Sequence, residues 1–268
     1  MIGESMRLRI ASAVVLAPIA LAAVYAGGWS TVALVAVAGV LAANEWDRLS
    51  GGPGLPGATA IIHALIILAA SILAGFELYE AALGVVIVGA AATASYAALR
   101  DGTPVWSALG VLYLALPMIA LIWMRRDEAG VVVLIWLLLI VWATDIAGIL
   151  VGKAVGGPKL WPRISPNKTW SGAVAGVVAA AIVGAITAGL REKATLGIMI
   201  PLSVSLSVIS QFGDLAESAV KRYYEVKDTG TLIPGHGGIL DRIDGLLLVL
   251  PVAAAIALLN KGSALIWP

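Results

Sequence analysis

The chain is expected to fold as an all-α, polytopic integral membrane bundle of about nine helices. Of its 268 residues, 60% are hydrophobic and only 12% charged. The apolar residues fall in runs long enough to cross a bilayer, and the basic residues gather in the connections between alternate runs. A soluble domain is nearer half apolar and a quarter charged; mean hydropathy here is +0.99. The net charge of +1 provides no general basic field, so nucleic acid is excluded as a partner. The absence of cysteine excludes disulfides and thiolate metal sites.

A membrane-crossing helix needs about 20 mostly apolar residues. The first such run, 10–26, follows "MIGESMRLRI"; without an A-x-A cleavage site after it, it reads as a retained span and not a leader. A tight turn at "AGGWS" leads into the second, 30–44. The rest are 57–75, 79–99, 103–124, 129–151, 170–190, 194–213 and 243–260. Pro18, Pro117, Pro201 and Pro251 lie within or at the ends of spans, where membrane helices tolerate them. Trp29, Trp46, Trp161, Trp170 and Trp267 stand near span ends, as interfacial anchors do.

With the N-terminus inside, 12 of the 17 basic residues fall on the inner side and 5 outside. The positive-inside rule therefore puts the N-terminus in the cytoplasm. Eight of those twelve belong to the loops after the sixth and eighth spans: Lys153, Lys159, Arg163, Lys168, Lys221, Arg222, Lys227 and Arg242.

The earlier loop is "VWATDIAGILVGKAVGGPKLWPRISPNKTWSGAVAG". Asp145 is the sole charge in the window 129–151, which makes a functional role or an internal basic partner the default. "SPNKTW" reads as a helix start, with Ser165 as cap and Pro166 in the first position. Lys168 and Thr169 at such a terminus suit a phosphate. In the later loop, span eight ends at Asp214 and helix continues to about Val226 through Glu217 and Lys221. "DTGTLIPGHGG" then breaks it. Helix resumes near Leu240, with Asp241 and Asp244 on one face of the new first turn. If the loop folds back, Asp214, Asp241 and Asp244 converge. Three carboxylates without cysteine suit a hard cation, Mg2+, which takes substrate phosphates into its shell. Carboxylates for a metal and bases for phosphates, at headgroup level, fit phosphoryl or nucleotidyl transfer to a lipid.

"SAVKRYYEVKDTGTLIPGHGGILDRID", Ser218 to Asp244, resembles the signature of the CDP-diacylglycerol synthases (phosphatidate cytidylyltransferases). That signature is S-x-apolar-K-R, four residues, K-D, then H-G-G-apolar-x-D-R-apolar-D. "TDIAGILVGKAVGGPKLWPRISPNKTW" is also similar to this family, except that Ser171 replaces its usual acid. The resemblance implies transfer of a cytidylyl group from CTP to phosphatidic acid, giving CDP-diacylglycerol and pyrophosphate. It implies Asp214, Asp241 and Asp244 as Mg2+ ligands, with a second cation left open. Lys221, Arg222, Lys227, Arg242 and Lys168 would hold phosphates. His236 would be a phosphate donor or loop organiser, and Asp228 would orient a lysine or bind nucleotide. The expected organisation is one membrane domain, 1–268, with N-terminal helices 1–128 and a catalytic portion 129–268. It would sit in a bacterial inner membrane, with membrane lipid as surroundings and a homodimer left open.

Several features have structural readings. Gly172, Gly176, Ala180, Gly184 and Ala188 form a small-residue stripe suited to close helix packing, within the chain or across a dimer. His63 is expected to be hydrogen-bonded inside the bundle. Ser203, Ser205, Ser207 and Ser210 either line a cavity or pack. Enzymes that consume CDP-lipids carry D-G-x-x-A-R, absent here. An ion- or proton-coupled transporter would also explain Asp145 and Asp214, but predicts charges near mid-membrane and not clustered at one face.

Overall fold

The computed structural model describes residues 4–50, 57–100, 102–126, 128–190, 194–230, 232–233 and 237–260. Among them are nine helices: α1 (Glu4–Ala26), α2 (Gly28–Ser50), α3 (Ala58–Gly75), α4 (Tyr79–Ala98), α5 (Pro104–Met124), α6 (Glu128–Val155), α7 (Trp170–Leu190), α8 (Leu196–Tyr223) and α9 (Leu240–Leu259). Eight, α2 to α9, are long and apolar enough to cross a membrane; of α1, the shorter stretch Val14–Ala26 is apolar. An all-α polytopic membrane protein is what the composition predicts. The topology count drew on Arg191, Lys193 and Lys261, which lie outside the described residues, as do His236 and Trp267.

The chain divides into two compact units. The first comprises Met1–Arg126 with Tyr224–Ile243, the second Asp127–Tyr223 with Asp244–Pro268. The loop carrying Lys227, Asp228, Asp241 and Arg242 thus belongs with the N-terminal helices, while α9 runs on into the second unit.

In the first unit, α2, α3, α4 and α5 pack on one another and α1 lies on α2. The α1–α2 turn needs Gly27 (φ 70°) and Gly28 (φ 51°), values that side chains resist. Arg125 lies across Gly27 and donates to the carbonyls of Val24 (2.5 Å) and Tyr25 (2.9 Å). It thereby satisfies carbonyls that the end of α1 leaves open. Trp46 corrects its expected role: it is 3% exposed, and its indole donates to the Trp106 carbonyl at 3.0 Å. Trp29, Trp161 and Trp170 are exposed, as anchors are.

In the second unit, α7 packs between α6 and α8. Its small residues Gly172, Gly176, Ala180 and Gly184 are buried, whereas Val174, Val178, Ile182, Ile186 and Leu190 face outward. Bulky residues on the lipid side and small ones inside let backbones approach where lipid gives no hydrophobic drive. A Cβ at Gly172 would lie 2.6 Å from the Gly148 carbonyl, and one at Gly184 2.6 Å from the Met199 carbonyl. The stripe therefore serves packing within the chain. Three of the four serines of α8 pack: Ser203, Ser207 and Ser210 are buried, and Ser207 bonds Thr144 at 2.8 Å, whereas Ser205 is exposed and donates to the Pro201 carbonyl at 2.8 Å.

One expectation changes. "SPNKT" is not a helix start but strand β2 (Ser165–Thr169), antiparallel to β1 (Lys159–Trp161). Pro166 has no N–H, which an edge strand tolerates. Thr169, not Ser165, caps α7, accepting the Gly172 N–H at 3.1 Å. Helix α8 runs unbroken through Asp214 to Tyr223, close to the expected continuation of helix to about Val226.

Candidate active site

Helices α6 and α8 each have 28 residues, about 42 Å, against a hydrocarbon core of about 30 Å. Asp145 and Asp214 lie roughly 26 Å along them, in the C-terminal half of each helix. Both helices therefore present carboxylates at the same end of the second unit.

Asp214 is ion-paired with Lys168, which β2 carries. Its Oδ1 also receives a long hydrogen bond, 3.4 Å, from Ser218 one turn on. Asp244 enters from α9, where its Oδ1 accepts the Gly245 N–H at 2.7 Å. The charged groups whose fields reach Asp244 are Asp214, Asp145 and Lys221. Close backbone approach allows this convergence: a Cβ at Gly213 would lie 2.8 Å from the Asp244 carbonyl oxygen. One more turn along α8, Lys221 pairs at 2.8 Å with the buried Glu217. Arg222 donates to the Ile164 carbonyl at 3.3 Å, and Asp145 is exposed.

The hairpin that carries Lys168 is held by a hydroxyl relay. Thr169 accepts the Gly172 N–H and donates to Ser171 Oγ at 2.9 Å; Ser171 donates on to the Gly156 carbonyl at 2.5 Å. Thr169 thus organises the hairpin, and Ser171 ties the start of α7 to the end of α6. Lys153, Lys159 and Arg163 are exposed around it.

In the first unit, Asp241 is 7% exposed and its Oδ2 accepts from Gly238 N–H (2.8 Å), Thr229 N–H (3.0 Å) and Thr229 Oγ1 (3.0 Å). Asp241 therefore holds the loop together. Lys227, Asp228 and Arg242 are exposed. Two buried acids of α2 escaped the sequence reading. Glu45 reaches the same loop, and Asp47 bonds His63 Nδ1 at 2.8 Å while His63 Nε2 faces the Ser107 carbonyl at 3.0 Å. The available signal was two acids at an apolar helix end, "NEWDRLS"; nothing in it named their partners.

Among the described residues, no three His, Cys, Asp or Glu side chains group as a metal shell. The pair Asp214 and Asp244 still fits Mg2+. Two carboxylates in each other's field repel, a cation relieves that, and Mg2+ takes one or two carboxylates plus substrate phosphates.

A family model described as the cytidylyltransferase family matches residues 7–259. A phosphatidate cytidylyltransferase of Brucella suis biovar 1 (strain 1330) is 46% identical over 165 residues, covering 61% of this chain and 59% of the relative. One of Bacillus subtilis (strain 168) is 43% identical over 126 residues, 47% of each chain. One of Staphylococcus aureus (strain COL) is 41% identical over 128 residues, 47% of this chain and 49% of the relative. The chain thus aligns with about half to three fifths of the length of the curated relatives it matches. With the match running from α1 to the last residue of α9, the chain belongs to the cytidylyltransferase family.

Proposed function

We propose that this protein transfers the cytidylyl group of CTP to phosphatidic acid at the cytoplasmic face of a bacterial inner membrane. A phosphate oxygen of phosphatidate attacks the α-phosphorus of CTP. The bond from that phosphorus to the β-phosphate oxygen breaks, and pyrophosphate leaves opposite the attack. The products are CDP-diacylglycerol and pyrophosphate. The lipid phosphate is already anionic, so no residue has to remove a proton.

The observation that carries the reading is the alternation of acids and bases, Asp214 with Lys168 and Glu217 with Lys221, at one end of otherwise apolar helices. Phosphates entering there offer each lysine a more highly charged partner and free a carboxylate. Lys168, Lys221, Arg222, Lys227 and Arg242 hold the triphosphate and the lipid phosphate in this scheme. Thr169 fixes the strand bearing Lys168, and Asp228 and His236 order the loop about the nucleotide. Asp214 and Asp244 would hold Mg2+, while Asp241, the third carboxylate of the motif, holds its loop. Bound there, Mg2+ neutralises the α-phosphate and the departing pyrophosphate. Asp145 adds to the negative field that retains the cation. Membership of a family described by cytidylyl transfer disfavours the transporter.

The test supplies purified protein in mixed detergent–lipid micelles with labelled CTP and phosphatidic acid, with and without Mg2+, beside Asp244→Asn. Label entering lipid only with Mg2+ and intact Asp244 supports the proposal. No transfer by folded wild-type protein overturns it.

A further inference from the structure

Glu45 sits at the C-terminal end of α2, 5% exposed, and takes no part in the scheme above. Its Oε1 accepts the Ile239 N–H at 2.9 Å. Its Oε2 accepts the Leu240 N–H at 2.9 Å and the Thr229 hydroxyl at 3.1 Å. Leu240 opens α9. The first N–H groups of a helix lack intrahelical partners and favour negative charge. The residue just before the helix normally supplies the acceptor, but here it is Ile239, which has none. Glu45 supplies it from 195 residues away.

The loop is shaped around this carboxylate. A Cβ at Gly238 would stand 2.2 Å from Glu45 Oε2, and one at Gly230 2.9 Å from Oε1. Glycine is needed at both because the acid occupies the space of a side chain. The single Thr229 hydroxyl proton is shared with Asp241 Oδ2 at 3.0 Å, so Glu45 and Asp241 clamp the same threonine.

We propose that Glu45 is a positioning residue: by capping α9 from another helix, it sets the start and rotation of the helix bearing Asp241 and, one turn on, Asp244. The inference rests on the proposed cytidylyl transfer.

The test uses full-length protein in detergent, comparing wild type, Glu45→Gln and Asp47→Asn. Glu45→Gln keeps size, but either amide orientation turns an NH2 against a backbone N–H. Asp47→Asn, also on α2, removes the negative charge facing His63 without touching the loop. Backbone amide exchange at 229 and 238–240 is read together with kcat and KM. Glu45→Gln is expected to speed exchange at those amides by about tenfold. Its kcat should fall by about tenfold with KM for CTP within about twofold. Asp47→Asn should lower the thermal midpoint yet match wild type in both readouts per folded molecule. Unchanged exchange and kcat in Glu45→Gln, or equal losses in Asp47→Asn, overturn the role. If Glu45→Gln does not fold, Glu45→Asp, which keeps the charge but withdraws it from the Ile239 and Leu240 N–H groups, is judged by the same outcomes. An inactive wild type overturns the proposed function and the positioning role together; an active wild type with an unaffected Glu45→Gln overturns the role alone.

Discussion

Gly213→Ala tests whether the meeting of α8 and α9 places the carboxylates. A Cβ there would lie 2.8 Å from the Asp244 carbonyl oxygen and 3.3 Å from the Gly245 Cα. A carbon and a carbonyl oxygen rest at about 3.3–3.6 Å, so the helices must part by about 0.5–0.8 Å. Both obstacles are backbone, and no rotamer change relieves them. Overpacking costs about 1–3 kcal/mol, offset by about 1 kcal/mol of helix propensity gained from alanine. The net loss of about 0–2 kcal/mol leaves the protein folded. The same movement acts between Asp214, the next residue, and Asp244. If 1 Å of misplacement costs about a hundredfold, 0.5–0.8 Å should lower kcat by about 10- to 40-fold. The assay is cytidylyl transfer per folded molecule, with Gly189→Ala as reference because no atom lies within 4 Å of a Cβ there. A kcat within about twofold of wild type would refute the reasoning.

Within α7, Gly184→Ala drives a methyl to 2.6 Å from the Met199 carbonyl and should cost about 0–2 kcal/mol after the propensity gain, while Gly189→Ala, which meets nothing, is stabilising by up to about 1 kcal/mol. Denaturant titration in detergent separates them, and equal stability would mean that the small-residue stripe is not a packing seam. Ser171→Ala breaks the relay from Thr169 to the Gly156 carbonyl and should cost about 1–2 kcal/mol of stability. Turnover per folded molecule should stay near wild type; a total loss would assign Ser171 a direct part in the reaction.

The spans were legible because crossing a bilayer is a local demand: each helix must itself present enough apolar residues, whatever it packs against. The α1–α2 turn was legible for the same reason, since only glycine relaxes into the φ values found at Gly27 and Gly28. The Ser165–Thr169 segment failed because its cap-like residues fit a helix start and an edge strand equally well. Only pairing with Lys159–Trp161 decided between them. The serines of α8 were ambiguous until Thr144 and the neighbouring helices closed on them.

By itself the sequence determined that this is a polytopic helical membrane protein, and it carried the Ser218–Asp244 stretch that resembles the family signature. Tertiary structure decided which acid meets which donor. Lys168 finds Asp214, and Glu45 caps a helix 195 residues away. Hydropathy and helix formation depend on neighbours along the chain, whereas a buried charge is settled by whatever packing brings within hydrogen-bond reach. The acids of "NEWDRLS" look the same in sequence whether they face headgroups or hold the start of α9.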